Sequence, residues 1–330
     1  MKILKGLLVA ALVAAPLAAR AEVTELQVPL GAGGFGFLPL HMMKEHGLVE
    51  KHAKEAGLDV TVNWANIGGP SGMNDALLSG SAHFISAGPP AFLTLWDRTR
   101  DNVRVMGVAA MSTMPMYLNT KAERLKSIDD IAGTDKIGVT AVKVSIPSIV
   151  MQMYAAEKHG EKEAFRFDPF TVSMTHPDGV IALLSDSGNI AAHYTSPPFH
   201  HMEIKDAAVR TIQTSDEVMG GATTFTMIST TTRFKEENPK VYAAFVEALK
   251  EAHGMIADDP EGSAEVLLKS MGGRGWEIPE LVEILNDPDI SYQTEPQNVM
   301  KYARFMHSIG SLRNEPAAIS DLFFDIEAGS

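Results

Sequence analysis

The sequence contains no cysteine, which excludes disulfide bonds, thiolate metal sites, a cysteine nucleophile and a lipid-modified cysteine. Basic residues are few, with 28 Lys and Arg against 41 Asp and Glu, and the formal net charge is −13. An acidic surface repels phosphate backbones and anionic lipids, so we predict no nucleic-acid partner and no membrane-surface partner. The histidines are scattered, and we predict neither a metal site nor a cofactor.

Long apolar runs are also missing, except near the N-terminus. There Lys2 and Lys5 precede the apolar segment Leu7–Ala19, and Ala19-Arg20-Ala21 has the small-x-small pattern of a cleavage site. This arrangement predicts a secretory signal peptide over residues 1–21, cleaved after Ala21. A membrane-spanning helix is not predicted, because the apolar run is too short to span a bilayer. Removing 21 residues from 330 leaves 309 residues, more than one usual core, so we expect two domains. An exported chain without an anchor indicates the periplasm, with full secretion as the alternative.

The stretch Leu26–Pro39 combines a buried strand, a glycine loop and the start of a helix. The apolar run Leu26–Leu30 is followed by Gly31, Gly33, Gly34 and Gly36, and then by Pro39 at a helix start. Glycine allows close approach of the backbone, and a helix N-terminus favours negative charge. The spacing is not that of a dinucleotide-binding loop. The pattern indicates either a backbone ligand site or a sharp turn without a ligand.

Strands alternate with helices of about ten residues along most of the chain, which predicts an α/β fold with parallel sheets flanked by helices. The alternation starts again after Met111–Pro115, which indicates a second sheet. We expect the strand Thr223–Thr230 to return to the first sheet. Beyond it the sequence predicts a helical C-terminal tail, with a core-facing apolar stripe along Lys240–Ala257.

Several strands of this pattern end in loops rich in glycine, proline or serine. The five loops are Gly31–Gly36, Asn66–Ser71, Gly88–Pro90, Lys143–Pro147 and Thr195–Pro198. Ligands of open parallel sheets bind at the carboxyl ends of the strands, so these loops are predicted to form one site. None carries a nucleophile–base pair, Gly-x-Ser-x-Gly or His-Glu-x-x-His. The site is therefore predicted to hold a ligand without reacting with it.

The order of several loose motifs resembles one known family, the periplasmic substrate-binding proteins of ABC importers of the nitrate/sulfonate/taurine type, which also include binders of thiamine precursors. The stretches that carry the resemblance are Gly31–Leu48, Asp75–Gly88, Leu125–Val139, Gly179–Phe199 and Thr226–Ala248. The chain departs from the family at His83 and Asn189, where an acidic residue is usual. The departure at His83 places a structural hydrogen bond in doubt.

The resemblance implies a two-lobed periplasmic binding protein of type II, in which each lobe is a mostly parallel sheet flanked by helices. Lobe I would comprise residues 22–114 and 222–330, the latter with the C-terminal helices, and lobe II residues 115–221. Crossovers are expected near Ala110–Met116 and Gly220–Thr224, where small residues would allow a hinge rotation.

The function that the resemblance implies is capture of a small organic or oxyanionic ligand between the lobes and its delivery to an ABC permease with its ATPase. The protein would be a periplasmic monomer and not an enzyme. Two alternatives remain open. One is a receptor for a TRAP/TAXI-type transporter or a sensor. The other is an enzyme related to the pyrimidine synthases, whose cysteine-rich iron motif has no counterpart here.

The predicted ligand-binding residues come from the strand-end loops and from the crossover. They are Gly33, Gly34, Phe35, Gly69, Ser71, Gly88, Pro89, Ser145, Ile146, His193, Thr195 and Thr223. Phe35, between two glycines, is expected to be exposed and to stack on the ligand, with a lid over the core as the alternative. Ser71 also fits a plain helix cap. The pair His200-His201 is expected on the surface, because adjacent helical positions point apart.

Overall fold

The computed structural model describes residues 21–31, 33–67, 69–185 and 189–325. The predicted signal peptide lies outside the described residues, apart from Ala21. In these four ranges no helix combines the length and the apolar character needed to cross a membrane.

The strands and helices follow one another much as the sequence predicts. The strands are β1 (Glu25–Pro29), β2 (Thr61–Ala65), β3 (Ile85–Ala87), β4 (Val105–Thr113), β5 (Tyr117–Thr120), β6 (Ile137–Val139), β7 (Thr171–Ser173), β8 (Ala192–Thr195), β9 (Arg210–Thr214) and β10 (Thr224–Thr231). The α-helices are α1 (Leu38–Glu45), α2 (Leu48–Glu55), α3 (Pro70–Ser79), α4 (Pro89–Thr99), α5 (Ile146–His159), α6 (His176–Leu184), α7 (Phe199–Ile204), α8 (Ser215–Met219), α9 (Thr232–Glu237), α10 (Pro239–Asp258), α11 (Pro260–Ser270), α12 (Ile278–Leu285) and α13 (Val299–Ser308).

The first structural unit, which we call lobe I, is built on strands β1 to β4 and β10. β1 pairs with β2 in parallel, and β10 lies between β3 and β4, antiparallel to both. Two hydrogen bonds join these groups of strands: the Gln27 backbone N–H donates to His83 Nδ1 (3.1 Å), and the His83 N–H donates to the Gln27 carbonyl (2.9 Å). The His83 side chain, at one of the two departures from the family pattern, thus accepts a hydrogen bond from the backbone of β1.

The second unit, lobe II, is a five-stranded sheet in the order β7-β6-β8-β5-β9, in which only β5 runs against its neighbours. The prediction of mostly parallel sheets is thus confirmed. β5 and β10 are the reversed strands for the same reason, since each is the first strand after the chain passes between the lobes. Such a strand starts at the end of the sheet where the other strands finish.

The chain passes between the two lobes twice. Residues 114–116 connect β4 to β5, and residues 215–223, which include α8, connect β9 to β10. The predicted crossover Ala110–Met116 therefore begins within β4. The domain boundaries 22–114, 115–221 and 222–330 remain a prediction.

The C-terminal helices pack mainly against lobe I. α10 contacts α1 and α2, and its predicted apolar stripe is buried, including Phe245. The Phe245 ring stacks on Phe84 with centroids 4.0 Å apart, which fixes α10 beside the chain entering β3. Such aromatic pairs add about 0.5–1.5 kcal/mol beyond the area that they bury. Further along, Ser291 forms a bridge to Thr113 at the end of β4.

The expectation that His200 lies on the surface is wrong. Its side chain is buried, its ring stacks on Tyr117 at 3.7 Å, and its Nδ1 lies 3.0 Å from Asn119 Nδ2. α7 packs its first turn on β5, so one member of the adjacent pair must face the sheet. His201 is half-buried.

Candidate functional site

A cavity of about 660 Å³ lies between the two lobes, and both contribute to its wall. Lobe I supplies residues that follow β1, β2 and β3, and lobe II supplies residues that follow β6 and β7. The carboxyl ends of strands from both sheets therefore meet at one site, as expected for open α/β sheets.

Five helices begin at this cavity. The wall includes Phe37 before α1, Gly69 before α3, Gly88 before α4, Ser145 before α5 and Thr175 before α6. The first N–H groups of a helix have no partner within the helix, and the helix dipole places partial positive charge there. Five such ends around one cavity create a positive potential inside it.

Proline occupies the first or second position of each of these helices. Its fixed φ suits a helix start, but it lacks an N–H group. α4 begins with Pro89 and Pro90 in succession, so two of its first donors are missing. The five helix starts consequently differ in the number of hydrogen bonds that they offer a ligand.

The described wall of the cavity contains no Asp, Glu, Lys or Arg. Its titratable side chains are His41 and His176. Burial, with Lys44 as a smaller cause, lowers the pKa of His41 to about 4. Burial, with His193 as a smaller cause, lowers the pKa of His176 to about 3. Both imidazoles are therefore neutral near pH 7, and the helix ends dominate the electrostatics.

The predicted site residues divide into two groups. Those in the wall are Gly33, Gly69, Gly88, Ser145 and Ile146, and those outside it are Gly34, Phe35, Ser71, Pro89, His193, Thr195 and Thr223. Contact with a ligand remains a prediction for all of them. Two of the five predicted loops, Lys143–Pro147 in lobe II and Gly88–Pro90 in lobe I, meet at the edge of the cavity, where Gly88 lies against Ile146.

Phe35 is not exposed, and that expectation is wrong. Its side chain is fully buried in the core, in the short turn Phe35–Phe37. Its carbonyl accepts a hydrogen bond from the Tyr292 hydroxyl at 3.1 Å. Phe37, two residues later, lies in the cavity wall instead. The glycines on either side of Phe35 allow a turn in which its ring points into the core. The order of residues along the chain does not show which of the two phenylalanine rings does so.

His193 and Thr195 lie behind the wall and support it. Thr195 Oγ1 is 3.2 Å from Nδ1 of His176, which lines the cavity. His193 Nδ1 is 2.5 Å from Glu203 Oε1, and both side chains are fully buried. The other predicted residues outside the wall are Ser71, which is exposed, and Gly34, Pro89 and Thr223, which are buried.

Sequence reasoning missed several wall residues, notably His41, Ser86, Phe225 and the segment 173–177. A signal for the last was present, because Thr175 caps α6 through the Asp178 N–H and Pro177 follows. A polar residue followed by a proline also occurs in the predicted loop Lys143–Pro147, at the start of α5. Ser86 is a lone polar residue in an apolar strand. His41 gave no signal.

The fold and the cavity together define this molecule as a two-lobed protein of the periplasmic-binding-protein class. The sequence model described as "NMT1/THI5 like" matches residues 52–263, more than half of the chain. The chain belongs to this family. No curated protein sequence matches it.

Solved structures with the same fold include three binding proteins. The alkanesulfonate-binding protein SsuA from Xanthomonas axonopodis pv. citri, bound to MOPS, is 16% identical, with a TM-score of 0.69 over 92% of this chain and 99% of that one. The periplasmic aliphatic sulphonate binding protein SsuA from Escherichia coli is 16% identical, with a TM-score of 0.63 over 93% and 94%. The periplasmic nitrate-binding protein NrtA from Synechocystis PCC 6803 is 15% identical, with a TM-score of 0.66 over 91% and 84%.

Across the ranges that the structure describes, no three His, Asp or Glu side chains are grouped so as to hold a metal ion. The Ser145 hydroxyl, at a helix start in the wall, donates to the Ala141 carbonyl at 2.6 Å. It is therefore engaged as a structural group and has no histidine base as its partner.

Proposed function

We propose that the protein is a periplasmic solute-binding protein that captures a small organic anion between its lobes and delivers it to an ABC importer. The observation that carries the proposal is the convergence of five helix N-termini on a cavity without a charged side chain in its described wall. A carboxylate, sulfonate or similar group is stabilised there by N–H donors and helix dipoles.

The size and lining of the cavity favour an organic ligand over a bare inorganic ion. The volume of about 660 Å³ is in the range of sites for small organic molecules. Met73, Ile146 and Phe225 are among the apolar side chains of the wall. The three similar proteins are named as binders of alkanesulfonates, aliphatic sulphonates and nitrate. These names support an anionic group on the ligand.

We propose that the protein binds its ligand and does not catalyse a reaction. The part of the wall that the structure describes has no carboxylate pair, and its Ser145 hydroxyl is bonded to a backbone carbonyl. We further propose that the protein acts as a monomer and that the importer's ATPase drives transport. The monomer is checked by light scattering after size-exclusion chromatography, and the ATPase by stimulation of the reconstituted importer with the loaded protein.

A thermal-shift screen of the purified protein tests the proposal. The panel contains alkanesulfonates, taurine, nitrate, aromatic carboxylates, pyrimidines and riboflavin. A ligand at 100 times its Kd stabilises the native state by about 2.7 kcal/mol, enough for a clear rise in Tm. We expect an organic anion to give this shift. Turnover of a panel member would contradict the proposed binding role.

A matched pair of variants connects the shift to the cavity. Ile146→Glu places a carboxylate in the wall at the first position of α5, where helix formation favours it. Ile181→Glu places the same charge on α6 at a side chain that is 67% exposed. We expect the first variant to lose the ligand-induced shift and the second to keep it. Equal shifts in both would place the ligand outside the cavity.

A further inference from the structure

Two polar side chains of the cavity wall have buried atoms without a hydrogen-bond partner among the described residues. They are Ser86, which is 2% exposed and lacks a partner for Oγ, and His41, which lacks one for Nε2. Both lie in lobe I and line the cavity. A buried polar group left unpaired has lost its hydrogen bonds to water without replacement, so such groups are rare in native proteins.

Three other polar side chains of the wall donate hydrogen bonds to the protein itself. Ser145 Oγ donates to the Ala141 carbonyl at 2.6 Å, Thr226 Oγ1 to the Gly36 carbonyl at 2.6 Å, and Ser270 Oγ to the Leu267 carbonyl at 2.7 Å. These groups shape the wall. Ser86 Oγ and His41 Nε2 differ from these three groups, because they have no hydrogen-bond partner among the described residues.

The position of Ser86 adds a second reason. Ser86 comes two residues before Gly88, where α4 begins. Because Pro89 and Pro90 have no N–H, this helix start offers fewer backbone donors than the others. A serine hydroxyl both donates and accepts, so Ser86 restores a hydrogen-bonding site on this side of the cavity.

The chemistry of the wall also limits what the ligand carries. A ligand ammonium group would meet the partial positive charge of five helix N-termini, and the described wall offers it the aromatic rings of Phe37 and Phe225 but no carboxylate to compensate its charge. A hydroxyl or amide needs only a neutral donor or acceptor, which Ser86 and a neutral imidazole supply.

We propose that the ligand is a monoanion whose apolar body carries an uncharged hydrogen-bonding group, received by Ser86 and His41, and no ammonium group. This inference rests on the proposed function and specifies its ligand class. The helix N-termini hold the anionic group, and Ser86 and His41 discriminate among anions of similar size.

Matched ligands test this by isothermal titration calorimetry. The series consists of sulfonates and carboxylates of two to eight carbons that end in methyl, hydroxymethyl or aminomethyl groups. At the best-binding length, we expect the hydroxyl member to bind about 2- to 12-fold more tightly than the methyl member, the effect of one neutral hydrogen bond. The ammonium member is expected to bind most weakly.

Three variants assign the preference to residues. Ser86→Ala and His41→Phe, which keeps a ring without nitrogen atoms, are each expected to bring the ratio of hydroxyl to methyl affinities toward one. The control is Ser263→Ala, because Ser263 Oγ is also buried without a partner but lies in α11, outside the cavity wall. The control is expected to keep the ratio of the unaltered protein, and thermal unfolding verifies that each variant is folded.

The outcomes separate this inference from the proposed function. Equal affinities for methyl and hydroxyl members, or tightest binding of the ammonium member, would overturn the ligand class while anion capture stands. If the ratio of hydroxyl to methyl affinities is as large in Ser86→Ala and His41→Phe as in the control Ser263→Ala, the assignment to these two residues is overturned. Failure of every anion in the series to bind would overturn both proposals.

Discussion

Gly88 of lobe I lies directly against Ile146 of lobe II at the edge of the cavity. A Cβ atom built on Gly88 would be 2.9 Å from Ile146 Cδ1, 3.0 Å from Ile146 Cγ1 and 3.3 Å from the Phe225 carbonyl oxygen. The φ of Gly88 is −72°, so the backbone itself tolerates a side chain there. The glycine is needed for the approach of the two lobes, and not for the local chain conformation.

We predict that Gly88→Ala weakens ligand binding while the protein stays folded. The added methyl group must either hold the lobes apart or push Ile146 into the cavity. Overpacking of this kind typically costs about 1–3 kcal/mol, which corresponds to about 5- to 150-fold in Kd. Calorimetric titration with the best ligand of the screen measures the change.

The double variant Gly88→Ala/Ile146→Val serves as the control, because valine lacks the nearest atom, Cδ1. It is expected to recover part of the affinity. An unchanged Kd for Gly88→Ala would show that the Gly88–Ile146 contact does not limit closure around the ligand.

For Phe35→Ala we predict a loss of stability instead of a direct effect on the ligand. Truncation of a fully buried phenylalanine costs about 3–5 kcal/mol, through lost burial and the cavity left behind. Ser71→Ala, at an exposed residue outside the wall, is expected to change neither stability nor affinity measurably. Urea unfolding provides both free energies. A native-like unfolding free energy for Phe35→Ala, with weaker binding, would restore the stacking role that its sequence context suggested.

A third prediction concerns the buried pair of His193 and Glu203. Glu203 also accepts a hydrogen bond from Asn119 Nδ2 at 2.8 Å, so its carboxylate is held on both oxygens. Removal of one member of such a pair leaves an uncompensated polar group in the core, and we expect Glu203→Ala to lower the free energy of unfolding by about 3–5 kcal/mol.

The matched control is Glu247→Ala, which breaks an exposed ion pair with Lys250. Water solvates the released lysine, so the Tm of this control is expected to change little. Equal Tm values for the two variants would contradict a structural role for the buried pair.

Stability is predicted to fall as the pH drops from about 6.5 toward 4. Burial is the main cause that lowers the pKa of His176 to about 3 and that of His253 to about 4. In the unfolded chain these residues take up a proton near pH 6.5, whereas the folded protein resists it. The unfolded state therefore binds more protons in this window, and each histidine costs about 2 kcal/mol of stability at pH 5 relative to pH 7.

Urea unfolding at pH 7, 6 and 5 checks this dependence. His253→Leu is expected to reduce the slope of stability against pH, and the control His46→Gln, at an exposed position, is expected to keep it. The same unfolding free energy at pH 7 and pH 5 would contradict the prediction.

Much of the local structure was predictable from the sequence because its signals are local. Pro147 and the residues before it predicted a helix start, and α5 begins at Ile146. Residues Thr223–Thr230 predicted a strand, and β10 occupies Thr224–Thr231. The five strand-end loops were likewise recognisable, and four of them contribute to the cavity wall.

The side chains that form the wall were less predictable. Phe35 and Phe37 belong to one short turn, and core packing decides which of the two rings faces the cavity. The burial of His200 depends on its stacking on Tyr117, 83 positions earlier in the chain. Neither contact has a pattern in the neighbouring residues.

The sequence by itself determined the α/β order, its restart after the first run of strands, the helix starts and the lack of cysteine chemistry, because these follow from composition, periodicity and backbone preferences over a few residues. The tertiary structure alone decided that five helix ends share one cavity, that Ser86 Oγ and His41 Nε2 in its wall have no partner among the described residues, and that Gly88 meets Ile146. Those relationships join segments far apart in the chain, and the packing of two lobes against each other fixes them.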